Sequence, residues 1–94
     1  MVLNIRPEAR LDLARIAAGL RDDKAFLEAA RSTIELIHGW PLIGRRRRFR
    51  QAGLRSFTVR RPFNKWVVFY QLTDTSLDIV RVLDGRRDLT QLFK

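Results

Sequence analysis

The stretch from residue 53 to residue 85 constrains the fold more than any other part of this chain. It reads GLRSFTVRRPFNKWVVFYQLTDTSLDIVRVLDG, with three runs of β-branched and aromatic residues separated by turn-forming residues. The runs at residues 54–60, 65–72 and 77–83 predict consecutive strands joined as an antiparallel meander. The middle run has apolar residues on both parities, which favours a central position in the sheet.

Two amphipathic helices are predicted before this sheet. Residues 2–5 predict a short strand, and Pro7 suits the first turn of a helix because its missing N–H is not needed there. Asp22 or Asp23 is the expected N-cap of the second helix, and Asp12 falls largely off the first apolar stripe. Steps of three and four predict helices over about residues 7–20 and 23–38, through Ala9, Leu13, Ile16, Ala17 and Leu20, then Leu27, Ala30, Ile34 and Ile37. Their short connection predicts an antiparallel helical hairpin.

The positive charge of the chain is concentrated in one region. The net charge is +9, and no acidic residue lies between Glu35 and Asp74. The basic residues in that gap are Arg45, Arg46, Arg47, Arg48, Arg50, Arg55, Arg60, Arg61 and Lys65. The other ten basic residues are matched by ten acidic ones, so the whole excess lies in one connection and the start of the sheet. This local field attracts a polyanion or an acidic protein, and the alternative is a solvated, flexible basic loop.

The connection over residues 40–52, WPLIGRRRRFRQA, is predicted to be a long loop. Pro41 and Gly44 interrupt regular structure. Its large apolar residues are expected to anchor the loop by packing against the rest of the domain. They are Trp40, Leu42, Ile43 and Phe49. The arginines between them should then face water or a ligand. The tail over residues 86–94 is either one helical turn or an extra strand.

Composition excludes several classes of function. Ninety-four residues predict a single domain over residues 1–94, and the absence of cysteine excludes thiolate catalysis and thiolate metal sites. With one histidine there is no metal-ligand spacing, and no phosphate-binding glycine loop is present, so we expect neither metal nor cofactor. No apolar run reaches the roughly 20 residues that span a bilayer. The N-terminus lacks a signal-peptide layout, and a cytoplasmic location with no membrane contact is expected.

The order of elements and several motifs resemble the RelE/ParE toxin superfamily of bacterial type II toxin–antitoxin systems. The resemblance is carried by Arg6-Pro7-x-Ala9-x-x-Asp12-Leu13-x-x-Ile16, Pro41-x-x-Gly44, GLRSF at residues 53–57, VVFY at residues 67–70 and DIVRVLDGRRD at residues 78–88. The last segment is similar to the RVLHGxRD signature of ParE-like toxins, with Asp84 where many relatives carry His. The resemblance implies an α+β fold in which an N-terminal strand and a helical hairpin pack on an antiparallel sheet of three or four strands.

The resemblance also implies a function, with two alternatives. RelE-like members cut mRNA in the ribosome, and ParE-like members bind DNA gyrase and block replication. Both are neutralised by an antitoxin whose C-terminal segment wraps the toxin. The chain resembles ParE more than RelE, so we expect a growth-inhibiting toxin that binds its target and forms a hetero-oligomer with an acidic antitoxin. A ribosome-dependent mRNA endonuclease is the alternative.

Candidate site residues follow from charge and from this resemblance. The expected target contacts are Arg45, Arg46, Arg47, Arg48, Arg81, Arg87 and Phe93. The antitoxin candidates are Leu13, Ile16 and Leu20, for which core packing is the alternative. Were the chain an RNase, Arg55, Arg81 and Arg87 would stabilise phosphate charge.

Arg81 interrupts an apolar strand, on the parity of Leu77, Ile79 and Leu83. A charged side chain on such a face is either part of a site or held in an ion pair. The partners expected for that pair are Asp78, Asp84 and Asp88. An evident proton donor is missing, because Tyr70 is expected in the core or an interface and His38 at a helix end.

Overall fold

The fold is an α+β arrangement of a helical hairpin on one face of a mixed sheet. The computed structural model describes residues 1–48 and 53–87 of the chain. In these residues the helices are α1 (Pro7–Ala18) and α2 (Asp23–Gly39). The strands there are β1 (Val2–Ile5), β2 (Arg45–Arg46), β3 (Leu54–Thr58), β4 (Trp66–Leu72) and β5 (Ser76–Asp84). None of the helices in the described part of the chain is long and apolar enough to cross a membrane.

Within residues 1–48 and 53–87, the strands form one sheet in the order β1-β5-β4-β3-β2. Strands β3, β4 and β5 form the predicted antiparallel meander, and β4 occupies the predicted central position. Strand β1 pairs in parallel with β5, so the sheet is mixed. The expected count of three or four strands is exceeded because β2 lies in the connection predicted as a loop. Its residues Arg45 and Arg46 pair with Ser56 and Arg55 at an edge, where long charged side chains extend into water.

The main core lies between the hairpin and the sheet. Its fully buried members come from both helices and from β4 and β5, and include Ala9, Ile37, Tyr70, Leu77 and Ile79. The predicted stripe of α2 is confirmed at Ala30, Ile34 and Ile37, but Leu27 is exposed. The buried face contains Phe26 instead. Consecutive side chains on a helix point about 100° apart, so Phe26 and Leu27 point in different directions. As expected, the carboxylate of Asp22 accepts a hydrogen bond from the N–H of Ala25 at 2.9 Å and caps α2.

A β-bulge in β5 changes the faces on which its later residues lie. Tyr70 of β4 pairs with Ile79, whereas the preceding Phe69 pairs with Arg81, so Val80 is the extra residue. Before the bulge, Ile79 lies in the main core; after it, Val82 does. The parity predicted for Arg81 is therefore wrong with respect to Leu77 and Ile79, whereas Leu83, which follows the bulge as Arg81 does, keeps the same face. Arg81 instead pairs with Phe69, whose ring belongs to a second buried cluster formed by Leu54, Phe69, Val80 and Leu83.

Candidate binding surface

The β2 edge of the sheet carries the predicted target-contacting arginines. The side chains of Arg45, Arg46 and Arg48 are exposed. Arg47 is half-buried, and its guanidinium carbon lies 5.7 Å from the centroid of the Phe69 ring, a cation–π geometry. Strand pairing thus holds the start of the arginine run against the sheet. Target contact by these residues remains a prediction.

A buried tyrosine fixes the backbone that leads into this run. The Tyr70 hydroxyl donates a hydrogen bond to the carbonyl of Pro41 at 2.7 Å and accepts one from the N–H of Gly44 at 2.8 Å. Burial raises the pKa of this hydroxyl above its ordinary value, against the opposing effect of the Gly44 N–H. A Cβ at Gly44 would lie 2.6 Å from Cε1 of Tyr70, so a larger residue would collide with the ring. Arg55 completes the anchor, since its Nη1 donates to the Gly44 carbonyl at 2.9 Å.

Three of the large apolar side chains of the connection do not anchor it, contrary to the prediction. Trp40 and Leu42 are 70% and 69% exposed, and Ile43 is exposed as well. The anchoring is done by the Tyr70 hydroxyl and the Arg55 guanidinium, which bind backbone groups instead. Phe49, the remaining predicted anchor, lies outside the described residues. An exposed apolar surface therefore lies beside the basic edge.

Arg81 is held by a carboxylate of α1. Its Nε and Nη2 donate to the two oxygens of Asp12 at 2.7 and 2.9 Å, and the N–H of Val82 donates to the same carboxylate at 3.0 Å. The Asp12 side chain is 6% exposed and that of Arg81 is 23% exposed. The hydrogen bonds to Asp12 are the main reason that the pKa of Arg81 is raised. The ion pair that was one alternative is present, but its partner is Asp12, so the expectation of Asp78 or Asp84 is wrong, and Asp88 lies outside the described residues. A target contact by Arg81 stays a prediction.

The end of β5 presents a further charged group. Arg87 is exposed, and its N–H donates to the carbonyl of Asp84 at 3.1 Å. The carboxylate of Asp84 accepts from the backbone N–H of Arg86 at 3.0 Å and from its Nη2 at 3.2 Å. These hydrogen bonds, the side-chain one foremost, hold the pKa of Asp84 below its ordinary value. Phe93 and Asp88 lie outside the described residues.

The residues proposed for antitoxin contact have core contacts. Leu13, Ile16 and Leu20 are half-buried and pack against the cluster that Phe26 forms with Ala17 and Ala30. Core packing, the alternative stated for these residues, is therefore present. Antitoxin contact by the same residues remains a prediction.

The arginines considered for RNA cleavage are bound to different partners. Arg55 lies on β3 and Arg81 on β5, with β4 between them, and Arg55 binds the Gly44 carbonyl whereas Arg81 binds Asp12. Tyr70 lies in the core, as expected. His38 lies in the last turn of α2, as expected, with its Nε2 2.8 Å from the Met1 carbonyl oxygen. Among residues 1–48 and 53–87, no three His, Cys, Asp or Glu side chains lie close enough together to hold a metal ion.

A polar network lies across the neighbouring strands β1, β5 and β4. Asn4 Nδ2 donates to Asp78 Oδ1 at 3.0 Å, and Arg6 Nη2 lies 3.4 Å from Asp78 Oδ2 and 3.1 Å from Gln71 Oε1. The Asn4 hydrogen bond is the largest cause of a lowered pKa at Asp78, and partial burial opposes it. This network links the N-terminal segment that contains β1 to β4 and β5, which are distant from it in the sequence.

Comparison with known proteins decides the family. A family model described as the ParE toxin of the type II toxin–antitoxin system, parDE, matches residues 3–89. The chain belongs to the ParE toxin family. It is 34% identical over 71 residues to Toxin ParE3 of Caulobacter vibrioides, an alignment that covers 76% of this chain and 67% of that protein. A chain from the structure titled "Chromosomal ParDE TA system from P. aeruginosa" has the same fold, with a TM-score of 0.61, 20% identity and coverage of 87% of this chain and 92% of that one.

Membership in the ParE family confirms the resemblance drawn from the sequence, and the structure explains two of its motifs. In Pro41-x-x-Gly44, the carbonyl of Pro41 and the N–H of Gly44 both bind the Tyr70 hydroxyl. In the N-terminal motif, Asp12 is the carboxylate that binds Arg81. Both motifs thus join segments that are far apart in the sequence.

The sequence did not lead us to predict that two polar residues of this ParE-family chain, Asp12 and Thr33, are buried and support the site. Asp12 stands three residues after Ala9 and four before Ile16, the spacing of a core position, and this spacing was the signal. Thr33 stands on the buried stripe of α2; its hydroxyl donates to the Ala29 carbonyl at 2.8 Å and accepts from the N–H of Arg60 at 3.1 Å. Thr33 thereby binds α2 to the chain just after β3.

Proposed function

We propose that this protein is the toxin of a type II toxin–antitoxin pair, that it acts by binding a protein target such as DNA gyrase, and that an acidic cognate antitoxin neutralises it. The observation that carries the proposal is the match of the ParE toxin family model to residues 3–89. The relative Toxin ParE3 and the ParDE system of P. aeruginosa agree with it. A cytoplasmic location follows from these partners.

The described surface supports action by binding. The exposed side chains of Arg45, Arg46 and Arg48 project from an edge whose backbone is paired with β3 or follows directly from it. A concentrated positive field of this kind accelerates association with an acidic partner. The exposed Arg87 belongs to the proposed target surface, and Arg81 adds to it where its guanidinium is exposed. Phe93, which lies outside the described residues, is proposed as a target contact from the sequence alone.

The groups available for proton transfer support binding over RNA cleavage. RNA cleavage needs a base near the 2′-hydroxyl and an acid near the leaving oxygen. Within the described residues, the Tyr70 hydroxyl is buried with both a donor and an acceptor partner, and the carboxylate of Asp12 is buried against Arg81. The endonuclease alternative would require Arg55, Arg81 and Arg87 to act on one phosphate, although Arg55 and Arg81 are bound to separate partners.

A supercoiling assay tests the proposal. Purified protein is titrated into DNA gyrase with relaxed plasmid, and we expect inhibition that added antitoxin relieves. The variant Arg45→Ser/Arg46→Ser should weaken inhibition about tenfold and reduce its salt dependence, because rim charges act mainly on the association rate. The matched control is Arg10→Ser/Arg15→Ser, which removes the same charge from exposed positions of α1 and should inhibit like the wild type.

Two results would refute the proposed target. The first is full gyrase activity at high protein concentration. The second is site-specific cleavage of mRNA when the protein is mixed with ribosomes, which would establish the endonuclease. Equal effects of the two double variants would show that net charge, and not the β2 edge, determines inhibition.

A further inference from the structure

The C-terminal end of α2 and the turn after it expose a contiguous set of large apolar side chains. We define the Trp40 patch as Leu36, Trp40, Leu42 and Ile43, all of which are exposed. Residues 39–43 together line one concave surface, and Leu36 shares a neighbouring groove with Trp40. Isolated exposed leucines are ordinary, but a contiguous apolar patch that includes tryptophan marks an interaction site.

The backbone beneath the Trp40 patch is rigidly held. The N–H of Trp40 donates to the Leu36 carbonyl at 2.9 Å, and the N–H of Ile43 donates to the Trp40 carbonyl at 2.9 Å. The Tyr70 hydroxyl binds the intervening backbone at Pro41. The backbone that carries these side chains is therefore ordered before a partner binds, which lowers the backbone part of the entropy lost on binding.

An open groove of about 800 Å³ extends from the patch along α2 and the end of β3. Leu36, Trp40, Arg60 and Arg61 all line this groove. Ile43 also borders a second concavity of about 360 Å³ lined by Arg45 and Arg47. The apolar patch thus shares its concave surfaces with two sets of arginines.

The charges around the patch select the kind of occupant. Among the described residues that line the larger groove, Glu35 is acidic, and its carboxylate is bound to Arg31. Arg45, Arg60 and Arg61 are exposed. A second copy of this chain would bring like charges together at both ends of the patch, whereas an acidic segment with apolar residues complements both features.

We propose that the Trp40 patch and its groove bind an acidic segment of the antitoxin, with apolar side chains on Trp40 and Leu42 and carboxylates beside Arg60, Arg61 and Arg45. This inference rests on the proposed function, because it assigns the docking position of that partner. It places the principal contact at the C-terminal end of α2. The half-buried stripe of Leu13, Ile16 and Leu20 then serves the core.

The test measures the affinity of this protein for its cognate antitoxin, identified by co-purification with the wild-type protein and then purified separately. The patch variant is Trp40→Ser/Leu42→Ser, and the matched control is Leu11→Ser, a leucine of α1 that is 56% exposed. Truncation of an aromatic anchor at the centre of an interface should raise Kd by about 30-fold or more. The control should leave Kd unchanged, and Arg61→Glu should raise Kd and reduce its salt dependence. Thermal unfolding of each variant alone checks that these exposed substitutions leave the fold intact.

Several outcomes would overturn the inference. If a complex forms and the patch variant binds like the wild type, docking is elsewhere while the toxin–antitoxin partnership stands. If the patch variant loses gyrase inhibition but binds the partner normally, the patch belongs to the target surface. If the isolated wild-type protein forms a dimer that the patch variant abolishes, a second copy is the occupant. If the wild-type proteins form no complex, both the inference and the proposed neutralisation fail.

Discussion

Removal of the Asp12 carboxylate is the most demanding test of how the helices and the sheet are joined. Asp12 accepts hydrogen bonds from two nitrogens of Arg81 and from the N–H of Val82 while almost completely buried. Breaking a buried ion pair by deleting one partner costs about 3–5 kcal/mol. The Arg81 side chain is 23% exposed, so part of its charge can be resolvated, which lowers the cost. We therefore expect Asp12→Ala to lower the free energy of unfolding by about 2–4 kcal/mol.

Urea and thermal unfolding, followed by circular dichroism at neutral pH, measure this loss. For a domain of this size, the expected change corresponds to a fall in Tm of about 10–25 °C. Arg81→Lys should lower the free energy of unfolding, because lysine cannot form the bidentate pair. The loss should be smaller than in Asp12→Ala, because lysine keeps a positive charge beside Asp12. The control is Asp84→Ala, which removes a partly exposed carboxylate whose partner Arg86 is 80% exposed, and it should have a smaller effect because that arginine stays solvated.

A double substitution separates the ion pair from simple loss of packing. Asp12→Leu/Arg81→Met removes both charges together, and it should recover part of the stability lost in Asp12→Ala, because the buried N–H of Val82 still lacks its acceptor. The reasoning would be refuted if Asp12→Ala unfolded within about 0.5 kcal/mol of the wild type, the range of ordinary surface substitutions. Such a result would mean that Asp12 does not join α1 to β5 in solution.

Three further predictions follow from other buried or hydrogen-bonded groups. Tyr70→Phe removes the partner of the Gly44 N–H, so we expect the free energy of unfolding to fall by about 1–3 kcal/mol and hydrogen exchange at that amide to become faster. Unchanged exchange would contradict the hydrogen bond between Tyr70 and Gly44. Thr33→Val removes the acceptor of the Arg60 N–H and should cost about 1–2 kcal/mol in urea unfolding, whereas Thr33→Ser should retain most of the stability. Because the folded pKa of Asp78 is lowered, its contribution is complete above its unfolded pKa of about 3.9 and is lost as pH falls through the folded value. The stability difference between the wild type and Asp78→Asn should therefore stay constant above about pH 5 and shrink in urea titrations as pH falls from about 5 to about 2, and a constant difference over that lower range would exclude this linkage.

The helices and the meander were predictable because their signals are local. The three-and-four spacing of apolar residues defines α1 and α2 within a few residues, and the clustered β-branched and aromatic residues define β3, β4 and β5. The motif around Gly85, together with the motifs in the remainder of the chain, is specific enough to indicate the ParE family from the sequence alone. These features depend on neighbours in the sequence.

The parallel pairing of β1 with β5 and the short strand β2 depend on the tertiary structure. Arg45 and Arg46 carry no apolar signal, and they form a strand because an edge of β3 is adjacent. The bulge at Val80 likewise carried no signal, although it moves Arg81 to a different face from Ile79. Single-residue insertions in a ladder arise from how two strands fit, and a pattern of alternation in one strand does not contain that fit.

For the candidate binding surface too, some features were predictable from the sequence and others depended on the tertiary structure. The position of the arginines along the chain predicted that the positive excess lies near the start of the sheet. The exposure of Trp40 and Leu42 was predicted wrongly, since apolar side chains in a loop are equally compatible with anchoring and with presentation. The contact that holds the described part of the loop is the Tyr70 hydroxyl, which binds the backbone at Pro41 and Gly44.

The sequence by itself determined the class of fold, the ParE family and the concentration of positive charge after residue 44. The tertiary structure decided which arginines are held and which are exposed: Arg81 is paired with Asp12 across the junction of α1 and β5, and Arg55 supports the loop, while Arg45 and Arg46 extend from an edge strand. The physical reason is that charge is a property of each residue, whereas pairing and exposure depend on the distances that folding creates between residues as far apart as 12 and 81.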